Sequence, residues 1–140
     1  MKYLASLALC LSASVVSAQS CTGENLKIIP EMEAAKDAVF EGKYETFGRM
    51  LGSDFQGLPE NATQMFAPFR EIVEGGYDSC TTILQRHESP GFYQDMVIYS
   101  SDQYEGPIAL LLIGADVGGT FRFVEFSFNT SFSEVSSGLR

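Results

Sequence analysis

The sequence predicts a single α+β domain, with helices in its first half and antiparallel strands in its second. Between residues 29 and 73, apolar side chains recur every three or four positions, which is the spacing of helices with one buried face. Between residues 79 and 129 they alternate with polar residues or form short runs, which is the spacing of strands. Helices and strands that are segregated along the chain are typical of α+β folds.

The first 18 residues have the layout of a secretory signal peptide. Lys2 is followed by an apolar stretch, Tyr3–Val16, and by small residues that end at Ala18. The stretch is too short to span a bilayer, which needs about 20 apolar residues. We therefore expect cleavage after Ala18, a secreted or periplasmic protein, and no membrane attachment after cleavage.

Residues 19–130 are predicted to form one domain, because they suffice for one hydrophobic core and are too few for two. Residues 131–140 are predicted to form a flexible tail, since their apolar pattern is reduced to Phe132 and Val135. The formal net charge is −9 at pH 7, and loss of Lys2 makes the mature chain more negative still. This charge disfavours nucleic acids and anionic membrane surfaces as partners.

The cysteines give a second indication of export. Cys10 leaves with the signal peptide, so that Cys21 and Cys80 remain. A pair of cysteines in an oxidising compartment is usually bonded, and we predict a Cys21–Cys80 disulfide worth on the order of 4 kcal/mol. The alternative is acylation of Cys21 as in a lipoprotein, for which residues 18–20 are a poor recognition sequence.

Two helices joined by a glycine corner are predicted first. Pro30 favours the first turn of one helix, which ends before Gly42. A second, short helix is predicted over Lys43–Leu51, with Gly52 as its end.

A third helix is predicted from Pro59 to the glycines at residues 75–76. Pro68 lies inside it. Because proline removes a backbone donor and clashes with the preceding turn, we expect a kink or a break near residues 65–67.

Four strands with short connections follow, and such strands pair as antiparallel neighbours. A turn is predicted at residues 89–91, another at 105–107, and a hairpin loop at 116–119. The third strand is an uninterrupted apolar run, which predicts burial on both faces. The predicted strands are Ser79–Glu88, Phe92–Ser100, Ile108–Ile113 and Thr120–Asn129.

The last strand contains an irregularity. Phe121 and Phe123 share one face in strict alternation, whereas Phe126 and Phe128 share the other. A β-bulge at residues 124–125 would return all four rings to one side. Because bulges bend a sheet, we expect a curved sheet folded over the helices, with a concavity between them.

Three helices followed by a bent antiparallel sheet resemble the nuclear-transport-factor-2-like superfamily. Two segments carry the resemblance, Gly42–Phe47 and Gly119–Phe126. In that superfamily a glycine, a polar residue and an aromatic residue open the second helix, and a final strand of the type Gly-Trp-Arg-Phe-Val-x-Phe closes a cone. Phe121 stands at the Trp position. The resemblance, to small secreted members of unassigned role, implies three N-terminal helices packed on a strongly curved, cone-like sheet of four strands.

Five residues are candidates for lining a pocket in such a cone. Alternation places Tyr93, Asp95 and Tyr99 on one strand face, and Arg86 and His87 lie on the preceding strand. The resemblance implies that enzymatic members use an Asp, His or Tyr inside the cone, without a metal or cofactor. No family motif assigns a catalytic position to these residues. A lone strand histidine near a turn is more often solvated, and Asp95 is a pocket group only if it points inward.

Other chemistries find little support in the sequence. His87 is the only histidine, and no Gly-x-Ser-x-Gly motif accompanies it. A zinc site needs further His or Cys ligands, and glycine patterns for phosphates or dinucleotides do not occur. We therefore expect no metal and no cofactor.

Our hypothesis from the sequence is an exported, non-enzymatic domain that binds a small ligand or a protein partner in or around a cone-shaped cavity. One alternative is a cofactor-free acid/base enzyme, of isomerase or hydrolase type, that uses His87 or Asp95. A second alternative is a homodimeric interaction module with an empty cone.

Overall fold

A computed structural model describes residues 21, 23, 28–52, 55, 58–88 and 90–139, so the predicted signal peptide lies outside the described residues. The described part is an α+β domain. Its helices are α1 (Pro30–Phe40), α2 (Tyr44–Leu51), α3 (Leu58–Met65), α4 (Ala67–Ile72) and α5 (Phe132–Ser136). Its strands are β1 (Ser79–Glu88), β2 (Phe92–Ser101), β3 (Tyr104–Val117) and β4 (Thr120–Asn129).

Helices α1 and α2 are joined at the predicted glycine corner. Gly42 has a φ of 69°, a left-handed conformation that glycine adopts without strain. The corner packs closely on the next turn, since a Cβ on Gly42 would lie 3.1 Å from the nitrogen of Gly76. The amide of Tyr77 donates to the carbonyl of Phe40 at 2.8 Å. These contacts hold the end of α1 against the segment that leads into β1.

The predicted third helix is interrupted where Pro68 indicates. Helix α3 ends at Met65 and α4 begins at Ala67, with the proline in the first turn of α4. The predicted total of three helices is wrong, because the described residues contain five. Helix α5 escapes prediction because its five residues carry only two apolar side chains, too few for a visible period.

The four strands form one antiparallel sheet in the order β1-β2-β3-β4. The bulge predicted in the last strand is confirmed. Ile113 pairs with Glu125 and Gly114 pairs with Phe123, so Val124 is the extra residue. All four phenylalanines of β4 consequently pack on the same face of the sheet.

Strand β1 contains a second bulge, which the sequence pattern does not predict. Its register on β2 shifts between Thr82 and Leu84, and Ile83 is 49% exposed.

The turn predicted at residues 105–107 is wrong. The chain reverses at residues 102–103, and β3 is longer than its apolar run.

The inner face of the sheet, defined as the face covered by α1 to α4, carries an aromatic core. Phe66, at the break between α3 and α4, is fully buried at its centre. Its ring centroid lies 5.0 Å from that of Tyr44, 5.6 Å from Phe47 and 5.8 Å from Phe128. These contacts join three separate elements in one cluster, which we call the aromatic core.

The outer face is covered by α5. Val135 is fully buried and packs with Met96 and Leu111. The apolar run Ile108–Ile113 is buried throughout, which confirms that β3 is covered on both faces. The flexibility predicted for the tail stays a prediction.

The predicted disulfide is present. Cys21 and Cys80 are bonded, with Cα atoms 5.0 Å apart. The bond attaches the chain before α1 to β1. Within the described part of the chain, no helix has the length and apolarity needed to cross a membrane.

Candidate functional site

A pocket of about 420 Å³ opens between the start of α1, the end of α2 and the start of β4. Its deepest residues are Leu51 and Phe123, which are 2% and 6% exposed. Ala34, Met50 and Phe121 add further apolar surface. The remaining residues of the lining are Glu31, Gly52, Thr120 and Arg122.

The ring of Phe121 is positioned by the absence of a side chain on β3. A Cβ at Gly114 would overlap this ring, so glycine leaves the space that the ring occupies. The ring is perpendicular to that of Phe123, with centroids 5.1 Å apart. Its centroid lies 5.9 Å from that of Tyr93. Phe121 therefore connects the pocket with the candidate residues on β2.

A group of charged side chains is buried between α1 and β2, and we call it the ionic cluster. Lys36 is fully buried, and its Nζ lies 2.5 Å from Glu33 Oε1 and 3.0 Å from Asp95 Oδ2. The Lys36–Asp95 contact is a hydrogen bond. The Lys36–Glu33 contact is an ion pair without the geometry of a hydrogen bond. Glu33 Oε2 has no hydrogen-bond partner among the described residues. Two carboxylates thus share one ammonium group away from water.

Neutral side chains of β1 complete this arrangement. Gln85 Nε2 donates to Asp95 Oδ2 at 3.1 Å. Lys36 Nζ donates to Thr82 Oγ1 at 3.4 Å, and the Thr82 hydroxyl donates to the carbonyl of Cys21. The ionic cluster is therefore continuous with the disulfide-bonded segment. Buried ions need such partners because their desolvation is costly.

His87 lies at the edge of the ionic cluster. Its Nε2 is 3.4 Å from Asp95 Oδ1, and its side chain is 14% exposed. The imidazole is perpendicular to the ring of Tyr93 at 5.2 Å. The Tyr93 hydroxyl donates to Asp116 Oδ2 at 2.8 Å, and this hydrogen bond raises the pKa of Tyr93. Each of these two polar rings is thus in contact with a carboxylate.

The other two candidates, Tyr99 and Arg86, lie apart from the His87–Asp95 contact. The Tyr99 hydroxyl donates to the carbonyl of Lys36 at 3.1 Å, and burial raises the pKa of Tyr99 well above its ordinary value of 10.0. Arg86 is exposed and forms an ion pair with Glu88 at 2.5 Å. Tyr99 therefore holds α1 on the sheet, whereas Arg86 is a surface residue.

The strand phasing of the candidates is correct, because Tyr93, Asp95 and Tyr99 are all buried on the inner face. None of the five candidates lines the 420 Å³ pocket. Sequence reasoning missed Glu31, and it did not include Arg122, a polar residue of the predicted sheet, among the five candidates. No local signal distinguishes them from ordinary surface charges, since the pocket forms only where α1, α2 and β4 meet.

The pocket offers an apolar surface with charged residues at its rim, and this arrangement suits binding better than covalent chemistry. In the part of the chain that the structure describes, no three His, Cys, Asp or Glu side chains are grouped to hold a metal ion. Comparisons of the chain with protein-family models, with curated protein sequences and with solved structures found no match.

Proposed function

We propose that this protein is an exported, non-enzymatic domain that binds a small, mainly apolar ligand in the 420 Å³ pocket. The observation that carries the proposal is the pocket itself, with Leu51, Phe121 and Phe123 as apolar surface and charged residues at the rim. Small-molecule sites are typically concave, mainly apolar and about 300–1,000 Å³ in volume. The disulfide is compatible with an oxidising location outside the cytoplasm.

We further propose that the domain is a cone-like member of the nuclear-transport-factor-2-like superfamily. Four helices on the inner face of one antiparallel sheet support this, as do the bulges of β1 and β4, because bulges bend a sheet. The aromatic core occupies the centre of the inner face. In this proposal the ligand therefore sits at one end of the domain, by the start of β4.

The alternative of an acid/base enzyme is favoured by one contact, that of His87 with the buried carboxylate of Asp95. Such a carboxylate orients an imidazole in many general bases. However, Asp95 also neutralises Lys36, which indicates a structural role. If the alternative is correct, the natural ligand will be converted during incubation with the protein. Hydrolysis will change its mass, isomerisation will change only its chromatographic retention, and His87→Gln will prevent either change.

Native mass spectrometry of protein recovered from the exported fraction of its host tests the proposal. We expect additional mass that is lost on denaturation. Ala34→Phe should abolish it by filling the pocket from the exposed face of α1. Gln64→Phe adds the same ring at an exposed position of α3 outside the pocket, and should retain the ligand.

Two outcomes would contradict the proposal. One is a bare protein from every preparation, and the other is a ligand that survives Ala34→Phe. The same spectra report the mass of the assembly. A bare dimer would favour the alternative of a homodimeric interaction module.

A further inference from the structure

We propose that the ligand of this pocket is an organic cation with an apolar body, such as an alkylammonium or quaternary ammonium compound. The inference rests on the proposed function, because it names the ligand class of the same pocket. Three features of the lining support it: a carboxylate, two aromatic rings and the direction of the arginine.

Glu31 provides the carboxylate. It lies three residues before Ala34 on α1, a spacing that puts both residues on one helix face, and both line the pocket. Glu31 is exposed and makes no ion pair with any described residue. A carboxylate at the rim of an apolar pocket attracts a cationic head group and repels an anionic one.

Phe121 and Phe123 provide the rings. Aromatic rings carry negative charge on their faces and attract cations placed over them within about 6 Å. The two rings are mutually perpendicular, so they offer surfaces in two directions. A quaternary ammonium group suits such walls because it is cationic, weakly hydrated and apolar at its surface.

Arg122 also lines the pocket, but its positive charge should repel a bound cation only weakly. It lies between Phe121 and Phe123 on an alternating strand, so its side chain leaves β4 on the side opposite to the two rings. Its side chain is exposed, where water screens its charge. The net charge of −9 adds a long-range attraction for cations.

Three probes with one hexyl chain and different head groups test the inference: hexyltrimethylammonium, 1-hexanol and hexanesulfonate. Their dissociation constants are measured by titration calorimetry with the purified protein. We expect the cation to bind about tenfold more tightly than the alcohol, and the sulfonate to bind most weakly. Tighter binding of the sulfonate than of the cation would overturn the inference.

Matched variants separate a local carboxylate from general charge. Glu31→Gln should raise the dissociation constant of hexyltrimethylammonium about fivefold to tenfold and leave that of 1-hexanol unchanged. Glu71→Gln changes the net charge equally from an exposed position of α4 outside the pocket, and should have little effect. Equal losses in the two variants would contradict the role of Glu31.

Failure of the inference is distinguishable from failure of the proposed function. If all three probes bind equally and Ala34→Phe abolishes their binding, the pocket binds apolar ligands and the preference for cations is wrong. If no probe binds to the wild-type protein, the proposed function itself is contradicted.

Discussion

The two halves of the inner face bury opposite kinds of side chain at the same depth. On the side of β3 and β4, the aromatic core packs rings such as Phe66 and Phe128. On the side of β1 and β2, α1 buries Lys36 against Asp95. Apolar burial stabilises a fold, whereas the desolvation of a buried ion pair offsets much of its attraction, and removal of one partner leaves an uncompensated buried charge. We therefore expect the aromatic core to supply stability and the ionic cluster to set how α1 lies on the sheet.

The largest effect is expected in the aromatic core. Phe66→Ala should lower the free energy of unfolding by about 4 kcal/mol, because it removes the ring that contacts α2 and β4 and leaves a cavity. Urea denaturation measures the loss. The control is Phe132→Ala, at a position that is 44% exposed, which should cost no more than about 0.5 kcal/mol. Similar losses in both variants would contradict the expectation that the aromatic core supplies most of the stability.

Removal of the central cation should cost somewhat less. Lys36→Met should lower the free energy of unfolding by about 3 kcal/mol, because Glu33 and Asp95 stay buried without a countercharge. The triple variant that adds Glu33→Leu and Asp95→Leu should regain much of the loss. An inert Lys36→Met, or a triple variant less stable than the single one, would contradict the dependence of the two buried carboxylates on Lys36.

The outer face offers a third comparison. Val135→Ala should cost about 2 kcal/mol in urea denaturation, because the side chain is buried against Met96 and Leu111. In the wild-type protein, the backbone amides of α5 should exchange more slowly than those of an exposed peptide. A loss below about 0.5 kcal/mol with fast exchange would instead support the flexible tail predicted from the sequence.

The smallest effect concerns the hydroxyl groups of the inner face at alkaline pH. Burial raises the pKa of Tyr44, Tyr77 and Tyr99 above the ordinary value of 10.0. The stability that these groups contribute is therefore complete below pH 10 and is lost as the pH rises above it, since the unfolded chain then releases protons that the folded chain retains. Each hydroxyl group lowers the free energy of unfolding by up to about 1.4 kcal/mol for each pH unit above 10.

Urea denaturation between pH 9 and pH 11 measures this dependence. Tyr77→Phe should reduce the slope by the share of one group, even though it breaks the 2.8 Å contact between the Tyr44 and Tyr77 hydroxyls. An unchanged slope would show that Tyr77 ionises in the folded protein, contrary to its burial.

Much of the fold could be predicted because its signals are local. Alternation and turn residues gave the bounds of β1 and β4 correctly, and the misphased phenylalanines of β4 predicted its bulge. The disulfide followed from the expectation that Cys10 leaves with a signal peptide, which leaves two cysteines to pair. The bulge at Ile83 has no such signal, because one exposed apolar residue in a strand is ordinary.

The candidate site was predicted less completely. Period-two alternation placed Asp95 on the same strand face as Tyr93 and Tyr99. It gave neither the inward direction of that face nor the pairing of Asp95 with Lys36. The two residues are 59 positions apart, and nothing in a helix pattern marks one lysine as buried. Similarly, Glu31 and Phe121 line one pocket although they come from opposite ends of the domain sequence.

The sequence by itself determined the fold class, the bulge of β4 and the disulfide, because periodicity, turn chemistry and cysteine number act within a few residues or by simple counting. The tertiary structure alone decided which charges are buried together and where the pocket opens. Both depend on distances between α1, the end of α2 and the sheet, and these distances are set by packing across the whole domain.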